Sequence, residues 1–139
     1  MEHEIDRMLS NPYAASLAFV SVAVLALIVF LFFFEFVTRY DCWKEIRKGN
    51  MAVAMATGGK IFGICNIFRF SIEATDSVYQ SMIWATFGFL LLLAAYFLFE
   101  FLTPVFRIDE EIERDNRAVG FIAMIISVSL SYVIGATVV

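Results

Sequence analysis

Lys60 is the residue of this chain best placed to do chemistry. It stands in a long apolar run, with Asn66 and Arg69 as the next strongly polar side chains and no other charge nearby. Counted from Met51 along an untilted helix, it lies about 13 Å deep at 1.5 Å per residue. A charge near the middle of a bilayer costs about 2.5–3.5 kcal/mol on insertion scales. Such a residue should turn inward, toward a partner or water. The candidate acids are Glu35 and Glu100, with Asn66 a weaker partner. Either Lys60 forms a structural ion pair or remains neutral, or it lines a polar pathway with Asn66, Glu35 and Glu100 and tunes what passes.

Glu35 and Glu100 occupy matching places near the ends of two apolar runs, three residues before Thr38 and Thr103. That puts them only about 5 Å deep. Snorkelling toward head groups or pairing with Arg39 and Arg107 is the ordinary expectation; two carboxylates lining a cation or proton path is the functional one. Asn50 and Asn116 each stand where a polar link becomes an apolar helix. The ordinary role is an N-cap, whose side-chain oxygen accepts from free N–H groups of the first turn. The functional alternative is a polar constriction made by the two asparagines together. Ser127 and Ser131 are expected to be packing hydrogen bonds rather than nucleophiles, because the only histidine, His3, is in the polar amino-terminal tail. Cys42 and Cys65 are too few for a disulfide framework and are expected to be free thiols. No metal-ligand spacing is present, so neither metal, cofactor nor enzymatic activity is expected.

The elements that carry these residues are long and apolar. Of the 139 residues, 61% are hydrophobic and sixteen are Phe, which points to lipid rather than water as the solvent. Four membrane-crossing helices are expected, near 13–37, 51–74, 79–102 and 117–139, each long enough to span the hydrocarbon core. The tail over residues 1–12 carries Glu2, Glu4 and Asp6 against Arg7, the wrong sign for a secretory leader, so the first helix is read as retained. A net charge of −4 excludes nucleic acid as a partner.

A short pattern occurs twice. Phe34-Glu35-Phe36 and, after a polar link, Gly49-Asn50-Met51-Ala52-Val53 are echoed by Phe99-Glu100-Phe101 and Asp115-Asn116-Arg117-Ala118-Val119. The chain therefore reads as one all-α membrane domain, 1–139, of two tandem parallel hairpin repeats, about 13–75 and 78–139. They would be related by a pseudo-two-fold axis along the membrane normal. In the first link Tyr40, Trp43 and Ile46 fall on one helical face; in the second Val105, Ile108 and Ile112 do, with Glu110/Arg114 and Glu113/Arg117 as i,i+4 pairs. Both links are expected to be short amphipathic helices at the membrane surface.

Helix two has the weakest apolar signal and should be the most protein-enclosed. Ala52, Ala56, Gly59 and Gly63 form a stripe of small residues, and Gly59-x-x-x-Gly63 suits close helix packing. Gly120, Met124, Ser127, Ser131 and Gly135 form a similar face on helix four. The Gly-rich helix suggests homo-oligomerisation. Lys and Arg concentrate in the links, at Arg39, Lys44, Arg47, Lys48, Arg107 and Arg114, with Arg117 at the border. This places the links in the cytoplasm and both termini outside.

Gly49-Asn50-x-Ala52-x-Ala54, its Asn116-x-Ala118 echo and Ala56-x-Gly58-Gly59-x-x-x-Gly63 resemble the YjfL family of small bacterial inner-membrane proteins of unknown function. The likeness covers essentially the whole chain; Asp115 in place of Gly49 and Lys60 within the glycine run depart from it. It implies four transmembrane helices in the plasma membrane and, through relatives encoded near envelope-stress proteins, a partner of that kind. The expected function is a homo-oligomeric channel or transporter for ions or protons. The alternative is a membrane scaffold or sensor whose acidic link, residues 107–115, docks a cytosolic or envelope-stress protein.

Overall fold

The computed structural model describes residues 2–102 and 107–137, and among them every regular element is a helix. These are α1 (Glu2–Leu9), α2 (Pro12–Val37), α3 (Cys42–Arg47), α4 (Met51–Ala74), α5 (Val78–Leu102), α6 (Ile108–Glu113) and α7 (Arg117–Thr137). Helices α2, α4, α5 and α7 are long and apolar enough to cross a membrane. The acidic tail is itself helical over α1. It is separated from α2 by Asn11, whose side chain accepts from Tyr13 N at 3.0 Å, and Pro12 follows in the first helical position, where its missing N–H costs nothing.

Helix α4 is the centre of the bundle. Its most apolar window is 61% buried, against 11% for α2 and 22% for each of α5 and α7. The glycines explain how α7 comes so close. A Cβ built on Gly59 would lie 2.7 Å from Met124 Cα, and one on Gly120 would lie 2.7 Å from Ala52 Cα. A Cβ on Gly63 would meet Ser127 O at 3.3 Å. Positions on the two helices rise together along this seam, from Ala52 against Gly120 to Phe70 against Gly135, so α4 and α7 run parallel. Without a hydrophobic drive between helices in lipid, such close backbone packing is what holds them together. Gly59 and Gly63 are thus occupied inside the chain, and the small-residue stripe gives no ground for self-association. Any contact between copies would have to use other surfaces.

Two apolar clusters flank the seam. One joins Phe30 and Phe34 of α2 to Ile64, Ile67, Phe89, Leu92 and Ile134, with Phe30 and Phe89 stacked at 4.2 Å between ring centroids. The other, at the link end, gathers Tyr40, Cys42, Ala52, Val53, Ala56, Ile108 and Ile112. The apolar side of α6 therefore packs on protein. In the first link the expected aromatic face breaks up. Helix α3 begins only at Cys42, after the Asp41 cap, so Tyr40 turns into the core while Trp43 stays 55% exposed. The i,i+4 pairs expected in the second link do not form either. Helix α6 stops at Glu113, and the chain turns at Asp115 with φ 61°. The ion pairs there are Arg107–Glu110 at 3.4 Å and Arg117–Asp115 at 3.7 Å. Thr103, Pro104 and Val105, and the side chain of Phe101, lie outside the described residues.

Candidate functional site

The link-end starts of α4 and α7 are built alike, residue for residue. Gly49 (φ 88°) and Asp115 (φ 61°) both take the left-handed conformation that ends the preceding short helix. Asn50 Oδ1 accepts from Val53 N at 3.1 Å, and Asn116 Oδ1 from Val119 N at 3.4 Å. Each amide also donates back, Asn50 to Glu45 at 3.3 Å and Asn116 to Glu111 at 2.9 Å. The departure at Asp115 has a local reason. Its carboxylate accepts from Ala52 N at 3.0 Å, capping α4 from across the bundle, which a glycine could not do. Asn50 answers by donating to Glu113 O at 2.8 Å. These two bonds fasten the links to each other, so both sit at the same end of the bundle. The asparagines cap helices and do not face one another across a constriction.

Roughly three to four turns further in, the polar groups separate into two layers. Asn66 donates to Ser131 Oγ at 3.0 Å, and that hydroxyl donates on to Val128 O at 2.6 Å. This bond crosses the α4–α7 seam and leaves Asn66 6% exposed and outside the lining of the Lys60 cavity. Lys60 points the other way, toward α2 and α5. It is 4% exposed, and its Nζ lies 5.2 Å from the Phe34 ring centroid and 4.8 Å from that of Tyr96. Among the described residues no carboxylate or carbonyl accepts a hydrogen bond from it, and the four ion pairs all lie elsewhere. The rings of Phe34 and Tyr96 are what surround its amine. Asp109, 4% exposed, accepts from the Tyr96 hydroxyl.

Lys60 and Tyr96 border a cavity of about 220 Å³. Glu100 also lines it, and its Oε2 is buried without a hydrogen-bond partner. Apart from Tyr40 and Ser127 the remaining wall is apolar, from α5 and α7 above all, including Leu92, Ile122, Ala123 and Ile126. Of the four residues expected along a pathway, the fold brings Lys60 and Glu100 to one cavity and leaves out Glu35 and Asn66. The aromatic cage stands where an ion pair to Glu35 or Glu100 was expected.

Three polar residues had no place in this site on the sequence reading. Tyr96 lies four positions before Glu100 and so shares its face. Asp109 falls on the flank of α6 that carries Ile108 and Ile112, an aspartate on an apolar face and hence a legible signal. Tyr40 contributes a buried phenol to the wall. Burial, reinforced by neighbouring Cys42 and Asp109, pushes that phenol well above its usual range and keeps it a hydrogen-bond donor. Burial also raises the Cys42 thiol, and the Lys60 charge offsets this in part.

The sequence profile of the Domain of Unknown Function (DUF350) family matches residues 8–138, nearly the entire chain. The chain belongs to the DUF350 family. A DUF350 chain of this kind is also 60% identical over 119 residues to the "UPF0719 transmembrane protein YshE" of Bacillus subtilis (strain 168), covering 86% of this chain and 89% of that one. No solved structure matches. Both comparisons agree with a membrane protein of unknown function, and neither carries the YjfL name drawn from the Gly-Asn-x-Ala residues. For this DUF350 member the Lys60 cavity is the site to explain.

Proposed function

We propose that this DUF350 protein is a small transport protein whose solute site is the cavity beneath Lys60. The observation that carries the reading is a buried lysine amine, with no hydrogen-bond acceptor among the described residues, beside an open space. A buried amine left without an acceptor destabilises the fold, and a transported or bound group that satisfies it accounts for its presence. A continuous ion pore through one chain has less support. Beyond Lys60 the α4–α7 seam closes on backbone contacts and on the Asn66–Ser131 bond. The parallel α4–α7 pairing and the matched caps favour the tandem-hairpin arrangement, and the Lys and Arg of the links favour a cytoplasmic location for that end.

The scaffold or sensor alternative finds less surface to work with. Asp109, Ile108 and Ile112 are taken into the bundle, and Glu110 is paired with Arg107. Proteoliposomes test the transport reading. Protein-dependent movement of protons, potassium or head-group-labelled phospholipid is expected, with a drop of about tenfold, ~1.4 kcal/mol of barrier, in Lys60→Met. No movement of any of the three, or movement indifferent to Lys60→Met, would contradict it.

A further inference from the structure

Resting on that reading of the site, we infer that the cavity takes the head group of a bilayer phospholipid bearing a phosphate and a primary ammonium. Two opposite needs meet in one space. Lys60 Nζ is a buried donor with no acceptor, and Glu100 Oε2 is a buried acceptor with no donor, although Arg39 and Arg107 stand near enough to act on that carboxylate. A simple anion satisfies the lysine and repels the glutamate; a simple cation does the reverse. A zwitterionic head satisfies both.

The order of the charges along the bundle selects how it sits. Tyr96 and Glu100 are successive on one face of α5, about 6 Å apart along the axis. The Lys60 ammonium lies over the Tyr96 ring, so it is the deeper of the two charges, and Glu100 is nearer the link end. In a phospholipid the phosphate is likewise deeper than the terminal amine. Phosphate therefore meets Lys60 and the ammonium meets Glu100.

The walls select a lipid over a soluble zwitterion. Ile122 is 53% exposed and Phe99 42% exposed at the rim, both on membrane-spanning helices, so the cavity opens sideways between α5 and α7 where acyl chains lie. Its volume of about 220 Å³ holds a head group, and the tails remain outside along the apolar flanks of α5 and α7. Basic pockets between transmembrane helices are known head-group sites; the added carboxylate is what makes this one discriminate.

Native mass spectrometry of the detergent-solubilised full chain, titrated with phosphatidylethanolamine, phosphatidylcholine and phosphatidylglycerol, reads this out. Phosphatidylethanolamine is expected to be retained about tenfold better than phosphatidylcholine, whose quaternary amine cannot donate. Glu100→Gln should remove that preference, Lys60→Met should weaken retention of all three, and Lys60→Arg should restore it. Equal retention of all head groups, a preference indifferent to Glu100→Gln, or equal competition by soluble phosphoethanolamine would overturn the proposal. If Lys60→Met fails to fold, Lys60→Arg and Glu100→Gln still decide it. Binding lost while proteoliposome transport persists refutes the lipid assignment alone; binding without any transport refutes the transport reading alone.

Discussion

The two sides of α4 solve opposite packing problems. Toward α7, Ala52, Gly59 and Gly63 present almost no side chain, so backbones touch and nothing else fits. Toward α2 and α5, Lys60 meets Phe34 and Tyr96 and borders a cavity of about 220 Å³ that runs on between α5 and the flank of α7. The first side fixes the register between the hairpins. The second keeps a charge out of lipid without giving it a full set of partners. One helix thus serves as both spine and binding wall, and the division runs between adjacent residues: Gly59 belongs to the seam and Lys60 to the cavity.

The largest effects should come from breaking the seam. Gly59→Ala or Gly120→Ala drives a methyl group into the facing backbone. Each is expected to destabilise by about 1–3 kcal/mol, seen as a lowered melting temperature in detergent. Gly58→Ala sharpens the contrast, because nothing lies within 4 Å of a Cβ there. That substitution should stabilise by about 0.5–1 kcal/mol through helix propensity alone. If all three behave alike, the seam is misplaced.

Next come the caps. Asn50→Ala removes a 3.1 Å cap and the bond to Glu113 O, and should cost about 1–2 kcal/mol. Asn116→Ala removes a longer, 3.4 Å cap and should cost less, about 0.5–1 kcal/mol. Deeper in the seam, Asn66→Ala should cost about 0.6–1.7 kcal/mol, the range of interhelical hydrogen bonds in lipid. The smallest effect is that of pH on the first link. Hydrogen bonds from Lys48, then Asn50, hold the Glu45 carboxyl below its ordinary value of 4.5. Its folded-state value is depressed, so its contribution is complete above about pH 4.5 and is lost as pH falls through the lower folded value. Protection of the Asn50 backbone amide, measured against its intrinsic exchange rate at each pH, should fall over that acid range, and Glu45→Gln should abolish the dependence.

Much of the seam was legible because it rests on local chemistry. Long, mostly apolar runs mark each span, and small-residue faces stand out on α4 and on α7, where the face includes Gly120, Ser127 and Gly135, although nothing in the sequence pairs the two. The caps were legible too, since an asparagine between a polar link and an apolar run has few other uses. The cavity was only half legible. Lys60 stood out by its depth, but Glu35 and Glu100 look equivalent in sequence and are not so in space. Helix α2 lies at the edge of the bundle, whereas α5 carries Glu100 onto the wall that α6 folds back to close. That fold-back depends on Asp109, Ile108 and Ile112 docking together; periodicity shows that α6 has an apolar face but not that the face packs on protein rather than on lipid. Self-association was misjudged as to its grounds for the same reason: a glycine stripe indicates a close neighbour without saying whose helix that neighbour is.

The most direct test is a high-resolution structure of the protein in phosphatidylethanolamine-containing nanodiscs, inspected at Lys60 Nζ. The expected result is density for a phosphate within hydrogen-bond reach of Nζ, in a space bounded by Tyr96 and Glu100, with α4 and α7 parallel. A Lys60 side chain turned out of that space, or bonded to a protein carboxylate with the cavity closed around it, would contradict the account.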